Sequence, residues 1–250
     1  MKRIASISTG MVFLGILFLI GTVQAADKQT IIKRIKDNYK ELTSFQADIY
    51  IGRTEQGKEL EGEGKIWAKE GKFRMEIETI ASDSSQEGAA EKQAIVFDGT
   101  IFWIYLQPKN ELITIDLSKL TDLPDSAKGQ LQVMVKELEE GAMNFFFPQF
   151  SPEKEIEISE NEWKGKSFYV LKDGQTETWV NKEDYFIYRV ITYDEAENVT
   201  SDIELTVINL NEEISDELFT FQVPEGVQPL DMVEMMKGMF EAFEGEEEVD

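Results

Sequence analysis

The sequence predicts a mainly β protein, a sandwich or barrel of about eleven short strands with two helical pieces. Three observations carry this. Apolar and charged residues alternate with period two through most of the chain between 45 and 209, as in an antiparallel sheet wet on one side. Turn signals recur roughly every 8–12 residues, among them Gly57, Gly71, Asp98-Gly99, Asn161, Gly165, Asp173-Gly174 and the stretch 195–198. The stretch 93–105, QAIVFDGTIFWIY, reads as a hairpin with apolar residues on both faces, so both faces need cover.

In chain order, Lys2 and Arg3 precede an apolar run at 11–20, and Val23-Gln24-Ala25 fits a small-x-small cleavage site. This is the layout of a secretory signal cut after Ala25, which places the mature chain in a periplasm. The run is short for a membrane span. From 27 to 42, Ile31, Ile32, Ile35, Tyr39 and Leu42 recur at helical spacing, with Asp27 as a cap. Strands follow. Phe45, Ala47, Ile49 and Ile51 alternate with Gln46, Asp48 and Tyr50; Ile66 and Ala68 alternate with Lys65; Phe73, Met75 and Ile77 alternate with Lys72, Arg74, Glu76 and Glu78. The polar stretch 81–91 reads as a loop. If a two-residue Asp98-Gly99 turn joins Phe97 to Thr100, then Val96 faces Ile101, Ile95 faces Phe102 and Ala94 faces Trp103. One face then carries Ile95, Phe97, Phe102 and Ile104, and the other Ala94, Val96, Ile101, Trp103 and Tyr105.

Ile113, Ile115 and Leu117 extend the pattern. Residues 122–148 break it, with Leu131, Met134, Val135 and Leu138 at helical spacing before Phe145, Phe146, Phe147 and Pro148: a helix and an aromatic loop inserted between strands. Strands resume at 155–158, 166–172, 176–181, 185–193 and 199–209, with a last one at 218–223. In the tail, Met232, Met235, Met236, Met239, Phe240 and Phe243 share one helical face before a run of acids. The expected organisation is a signal at 1–25, one domain at 26–229 and a Met/Phe-rich acidic tail at 230–250.

With 25 basic against 49 acidic residues, the formal net charge is −24. Such a surface repels phosphate backbones and anionic lipid, so no nucleic-acid partner is expected. There is no Cys and no His, which removes thiol nucleophiles, disulfides, thiolate metal sites and imidazole acid–base schemes. Acidic pairs such as Glu139-Glu140 or Glu153 with Glu155 do not stand out from the other acids. No catalytic residue, metal site or cofactor is expected.

Four motifs, in order across about residues 30–228, resemble the outer-membrane lipoprotein carrier (LolA-like) family. They are Ser44-Phe45-Gln46-Ala47 after the first helix, Gly62-Glu63-Gly64-Lys65-Ile66-Trp67 running into Lys72-Phe73-Arg74, the hairpin around Asp98-Gly99, and Phe219-Thr220-Phe221 with Pro224-Glu225-Gly226-Val227. The resemblance implies a half-open antiparallel barrel with helices as a lid over an apolar cavity. It implies a periplasmic, non-enzymatic, monomeric carrier of lipoprotein acyl chains or other lipid, with an inner-membrane donor complex and an outer-membrane acceptor. Where family carriers have an Arg before a Pro, tied to lid opening, this chain has Glu70-Gly71.

The expected cavity lining is Phe45, Ile49, Ile66, Phe73, Met75, Ile77, Ile95, Phe97, Phe102, Ile104, Ile113 and Ile115, with Glu70 at the lid position. The same residues would equally form an ordinary closed core. Trp67, Trp103 and Trp179 are either pocket walls or packing, and Arg74 fits a surface ion pair. The tail stripe of Met232, Met235, Met236, Met239 and Phe240 is either a plug over the cavity mouth or a loosely docked or disordered end. A second functional class stays open: an envelope-stress or regulatory sensor of the same fold that binds lipid or peptide and a membrane partner.

Overall fold

The structure is a computed structural model that describes residues 25–55, 58–81, 91–107, 109–123 and 155–244. The expected signal up to Gln24, Gly57, the polar stretch 82–90, the inserted helix and aromatic loop with Glu139, Glu140 and Glu153, and the acidic end 245–250 lie outside the described residues.

The N-terminal half of the sheet comprises β1 (Ser44–Glu55), β2 (Lys58–Lys69), β3 (Lys72–Ala81), β4 (Glu91–Phe97), β5 (Ile101–Leu106) and β6 (Glu111–Asp116). The C-terminal half comprises β7 (Glu157–Trp163), β8 (Lys166–Asp173), β9 (Thr176–Asn181), β10 (Ile187–Tyr193) and β11 (Val199–Leu210), and β12 is a short piece at Pro229–Asp231. Among the described residues there are also helices α1 (Ala25–Glu41) and α2 (Met232–Glu244), with short 3-10 turns at Leu117–Asp122 and Asp216–Phe219.

All the described strands join one sheet in the order β12-β6-β5-β4-β3-β2-β1-β11-β10-β9-β8-β7. Its two outer strands do not pair, so the sheet is half-open. Pairing is antiparallel except for β12, which runs parallel to β6. The mainly β, half-open antiparallel architecture implied by the motifs is the architecture found. β1 and β11 meet at the middle, where the register shifts between Gln46 and Asp48 and Val207 bulges outward, 69% exposed, with a positive φ of 48°.

Local chemistry explains the turns. Glu70 and Gly71 both have positive φ (48° and 79°), as a two-residue type I′ hairpin turn requires. Gly64 is demanded by crowding: a Cβ there would lie 1.8 Å from the Glu76 carbonyl oxygen.

The structure corrects several expectations. The described residues form twelve strands, in keeping with the expected eleven or so, and the short β12 is the piece not foreseen. α1 starts at Ala25, ahead of Asp27. The strand expected at 155–158 is β7, and Asn161 lies inside it rather than in a turn. In the hairpin, Phe97 pairs with Phe102, Val96 with Trp103, Ile95 with Ile104 and Ala94 with Tyr105. The Asp98 carboxylate accepts from the backbone N–H of Thr100 and Ile101, both at 2.8 Å. It thereby shapes a four-residue loop instead of a two-residue turn. The register moves by an even number, so every side chain keeps its expected face.

The expected strand at 218–223 is also absent. That segment crosses the outer face instead. Phe221 stacks on Trp103 with centroids 5.4 Å apart and tilts against Tyr105 at 6.0 Å. Arg74 forms its ion pair with Glu76, and its guanidinium also donates to the Leu218 carbonyl at 3.0 Å, pinning the crossing chain. This cover answers the puzzle of the two-faced hairpin: one apolar face packs inward, and the other packs under the crossing chain at Phe221.

Candidate functional site

Paired residues share a face, so the ladder register sorts the inner face of β1–β6 into rows. The first row runs Phe45, Ala68, Phe73, Phe97, Phe102, Ile115 across six strands. All six are buried. Phe73 meets Phe102 edge-on at 5.3 Å, and Phe97 lies 5.9 Å from Phe102. This row is a closed aromatic floor. The next row runs Ala47, Ile66, Met75, Ile95, Ile104, Ile113 and, on β12, Leu230. Ala47 and Ile66 are buried, whereas Met75, Ile95, Ile104 and Ile113 are half-buried and Leu230 is 49% exposed. A third row starts with buried Ile49, passes Gly64 and buried Ile77, and turns polar at Gln93.

The expected cavity residues therefore lie on one face, as the alternation required, but they divide into two sets. Phe45, Ile49, Ile66, Phe73, Ile77, Phe97, Phe102 and Ile115 are packed core. Met75, Ile95, Ile104 and Ile113 form an apolar strip with open surface. The strip crosses four adjacent strands, on the order of 14 Å at the usual interstrand spacing.

The two described helices cover this inner face differently. Ile31, Ile32 and Ile35 of α1 are buried against Ile156, Leu171, Val180 and Ile187 on the C-terminal half. Tyr39 closes the seam by stacking on Phe186 at 5.4 Å, and its hydroxyl oxygen accepts from the Ile187 N–H at 2.9 Å. Burial raises the Tyr39 pKa well above the ordinary phenol value, so it stays neutral.

α2 lies on the N-terminal half, against β6, β12 and the first 3-10 turn. Val233 enters the core cluster, and Met232, Met236 and Phe240 pack against it. Met235 and Met239 remain 39% and 53% exposed. The start of α2 is fastened by Asp231, whose carboxylate accepts from the N–H of Val233 (3.0 Å) and Glu234 (3.3 Å) and pairs with Lys119 at 2.7 Å. Burial pushes the Asp231 pKa upward, but the Lys119 hydrogen bond and the two backbone donors outweigh it and hold it below the ordinary carboxylate value. Sequence reasoning missed Lys119, Asp231 and Leu230. An Asp directly before an apolar helical run is a cap signal that would have found the second.

Glu70 is exposed in its turn between β2 and β3. Trp67 and Trp103 sit on the outer face with Arg74 and Val96, and Trp179 packs in a separate outer cluster with Phe168, Val170 and Ile191. An outer groove of about 420 Å³ lies over β2–β5, lined by Glu63, Lys65, Glu76, Glu78, Lys92 and Tyr105 among others. Its charged walls suit no hydrocarbon. Among the described residues, no helix is long and apolar enough to cross a membrane.

The fold and this face define a class: a half-open β-sheet protein with helices on its inner face and an incompletely covered apolar strip. No protein-family profile matches the sequence, and no curated protein matches it. Among solved structures, an uncharacterised conserved protein from Thermus thermophilus is similar over 82% of this chain and 99% of its own, at 18% identity and TM-score 0.50. A LolA superfamily protein from Nitrosomonas europaea matches 77% of this chain and 97% of its own, at 13% identity and TM-score 0.32. Pseudomonas aeruginosa MucB, solved in complex with MucA, matches 78% of this chain and 61% of its own, at 14% identity and TM-score 0.42. The likeness to the Thermus protein, at 18% identity, is one of fold.

Proposed function

We propose that the protein is a non-enzymatic, monomeric periplasmic carrier. It binds the acyl chains of a lipoprotein, or another amphiphile, on the strip Met75, Ile95, Ile104 and Ile113. It moves them from an inner-membrane donor toward an outer-membrane acceptor after a signal cut behind Ala25. The supporting observation is the graded burial of one face: a sealed aromatic floor under an apolar row left partly open. Each CH₂ kept from water is worth about 0.8 kcal/mol, so an open apolar row is a strong attractor for hydrocarbon. The outer groove does not compete for such a ligand, because its Glu and Lys side chains would be stripped of water.

The test is to purify the secreted protein without detergent and extract it for lipid mass spectrometry. The carrier reading expects acyl lipid in near-stoichiometric amount, reduced in Ile104→Glu. A lipid-free protein that also ignores a fluorescent fatty acid would sink the reading. If a lipid-free protein instead captures an inner-membrane regulator, the sensor alternative takes its place.

A further inference from the structure

We propose that α2 is a displaceable occupant of the acyl site, so that the helix and a bound acyl chain exclude each other. This rests on the carrier reading and adds its regulation. The geometry points to it in three ways. α2 packs Met232, Met236 and Phe240 against the same core cluster that Met75, Ile95 and Ile104 pack against, and it lies on β6 and β12, which carry Ile113 and Leu230 at the end of the row that would hold a hydrocarbon chain. Its seat is shallow: of its described side chains only Val233, at 1% exposure, is fully buried. Its apolar stripe is also wider than the seat, since Met235 and Met239 continue it into solvent. Unbranched Met side chains repack at low cost, which suits a surface that must be vacated and refilled.

The fastening is uneven. Asp231 caps the first turn and pairs with Lys119, and β12 fixes the preceding residues to β6. These bonds hold the start of the helix, while the seat of Met236 and Phe240 is apolar contact. An entering acyl chain therefore lifts the helix about its capped end without releasing it.

The chain has no Cys, and a Cβ at Gly238 meets nothing within 4 Å. Gly238→Cys therefore takes a single nitroxide on α2 in an otherwise native chain. Adding oleate should mobilise the label. Separately, Met236→Gln with Phe240→Gln should tighten binding of a fluorescent fatty acid about tenfold, because the competent state is no longer blocked. Met235→Gln, on the exposed flank, should leave affinity within about twofold. An immobile label at saturating oleate, equal affinity in the double variant, or equal tightening by Met235→Gln would overturn the displacement while leaving the carrier reading intact. No binding in any variant would overturn both.

Discussion

The two described helices lie on the same face of the same sheet, yet one seals it and the other only rests on it. α1 places Ile31, Ile32 and Ile35 at 6%, 3% and 2% exposure against Leu171 and Val180, both at 0%. α2 buries Val233 and leaves Met235 and Met239 in solvent. The side chains match these roles. β-branched Ile is stiff at χ1 and loses little freedom on packing, whereas Met stays adaptable. The contrast teaches where the fold places its stability and where it keeps a surface in reserve: the C-terminal half is framework, and the N-terminal half holds the strip.

The sharpest way to break this comparison is a matched pair of truncations. Ile35→Ala in α1 should lower stability by about 2–5 kcal/mol in urea unfolding, the range for a buried aliphatic side chain. Met236→Ala in α2 should cost about 1 kcal/mol, because that side chain is only partly buried. Equal losses would mean that α2 is as much framework as α1.

Asp231→Ala should come next, costing about 1 kcal/mol for the lost cap. The same carboxylate gives a pH signature. Its folded pKa lies below the ordinary 3.8, so its stabilisation is complete above that value and fades as pH falls through the lowered native pKa. Acid titration of the wild type should show this component, and Asp231→Ala should lack it. The smallest effect concerns the junction of the halves. Val207 holds a left-handed conformation at φ 48°, which L side chains adopt only at a cost. Val207→Gly should therefore raise stability by up to about 1 kcal/mol without changing lipid binding. A fall in melting temperature would show that the bulge needs the valine.

Much of this was legible in the sequence, because one-sided wetting writes itself as alternation. Phe45, Phe73, Phe97 and Phe102 fell on one face before any strand was paired, and the helical stripe of Met232, Met236 and Phe240 was equally plain. Three things were not legible. The hairpin register depended on a side chain, the Asp98 carboxylate, that turns a two-residue signal into a four-residue loop. The segment through Phe219 and Phe221 alternates like a strand, yet Phe221 is claimed by the outer face at Trp103. β12, three residues long and starting at Pro229, has no periodicity to read. The division of the cavity residues into sealed floor and open strip was also hidden. It depends on which neighbours cover each row, and alternation reports only the face.

The most direct test of the central claim is hydrogen exchange by mass spectrometry on the full chain, with and without oleate. Oleate should slow exchange in β4 to β6, speed it in 232–240 and leave α1 unchanged. Protection confined to α1 and β8 to β10, or no change in β4 to β6 at saturating oleate, would contradict it.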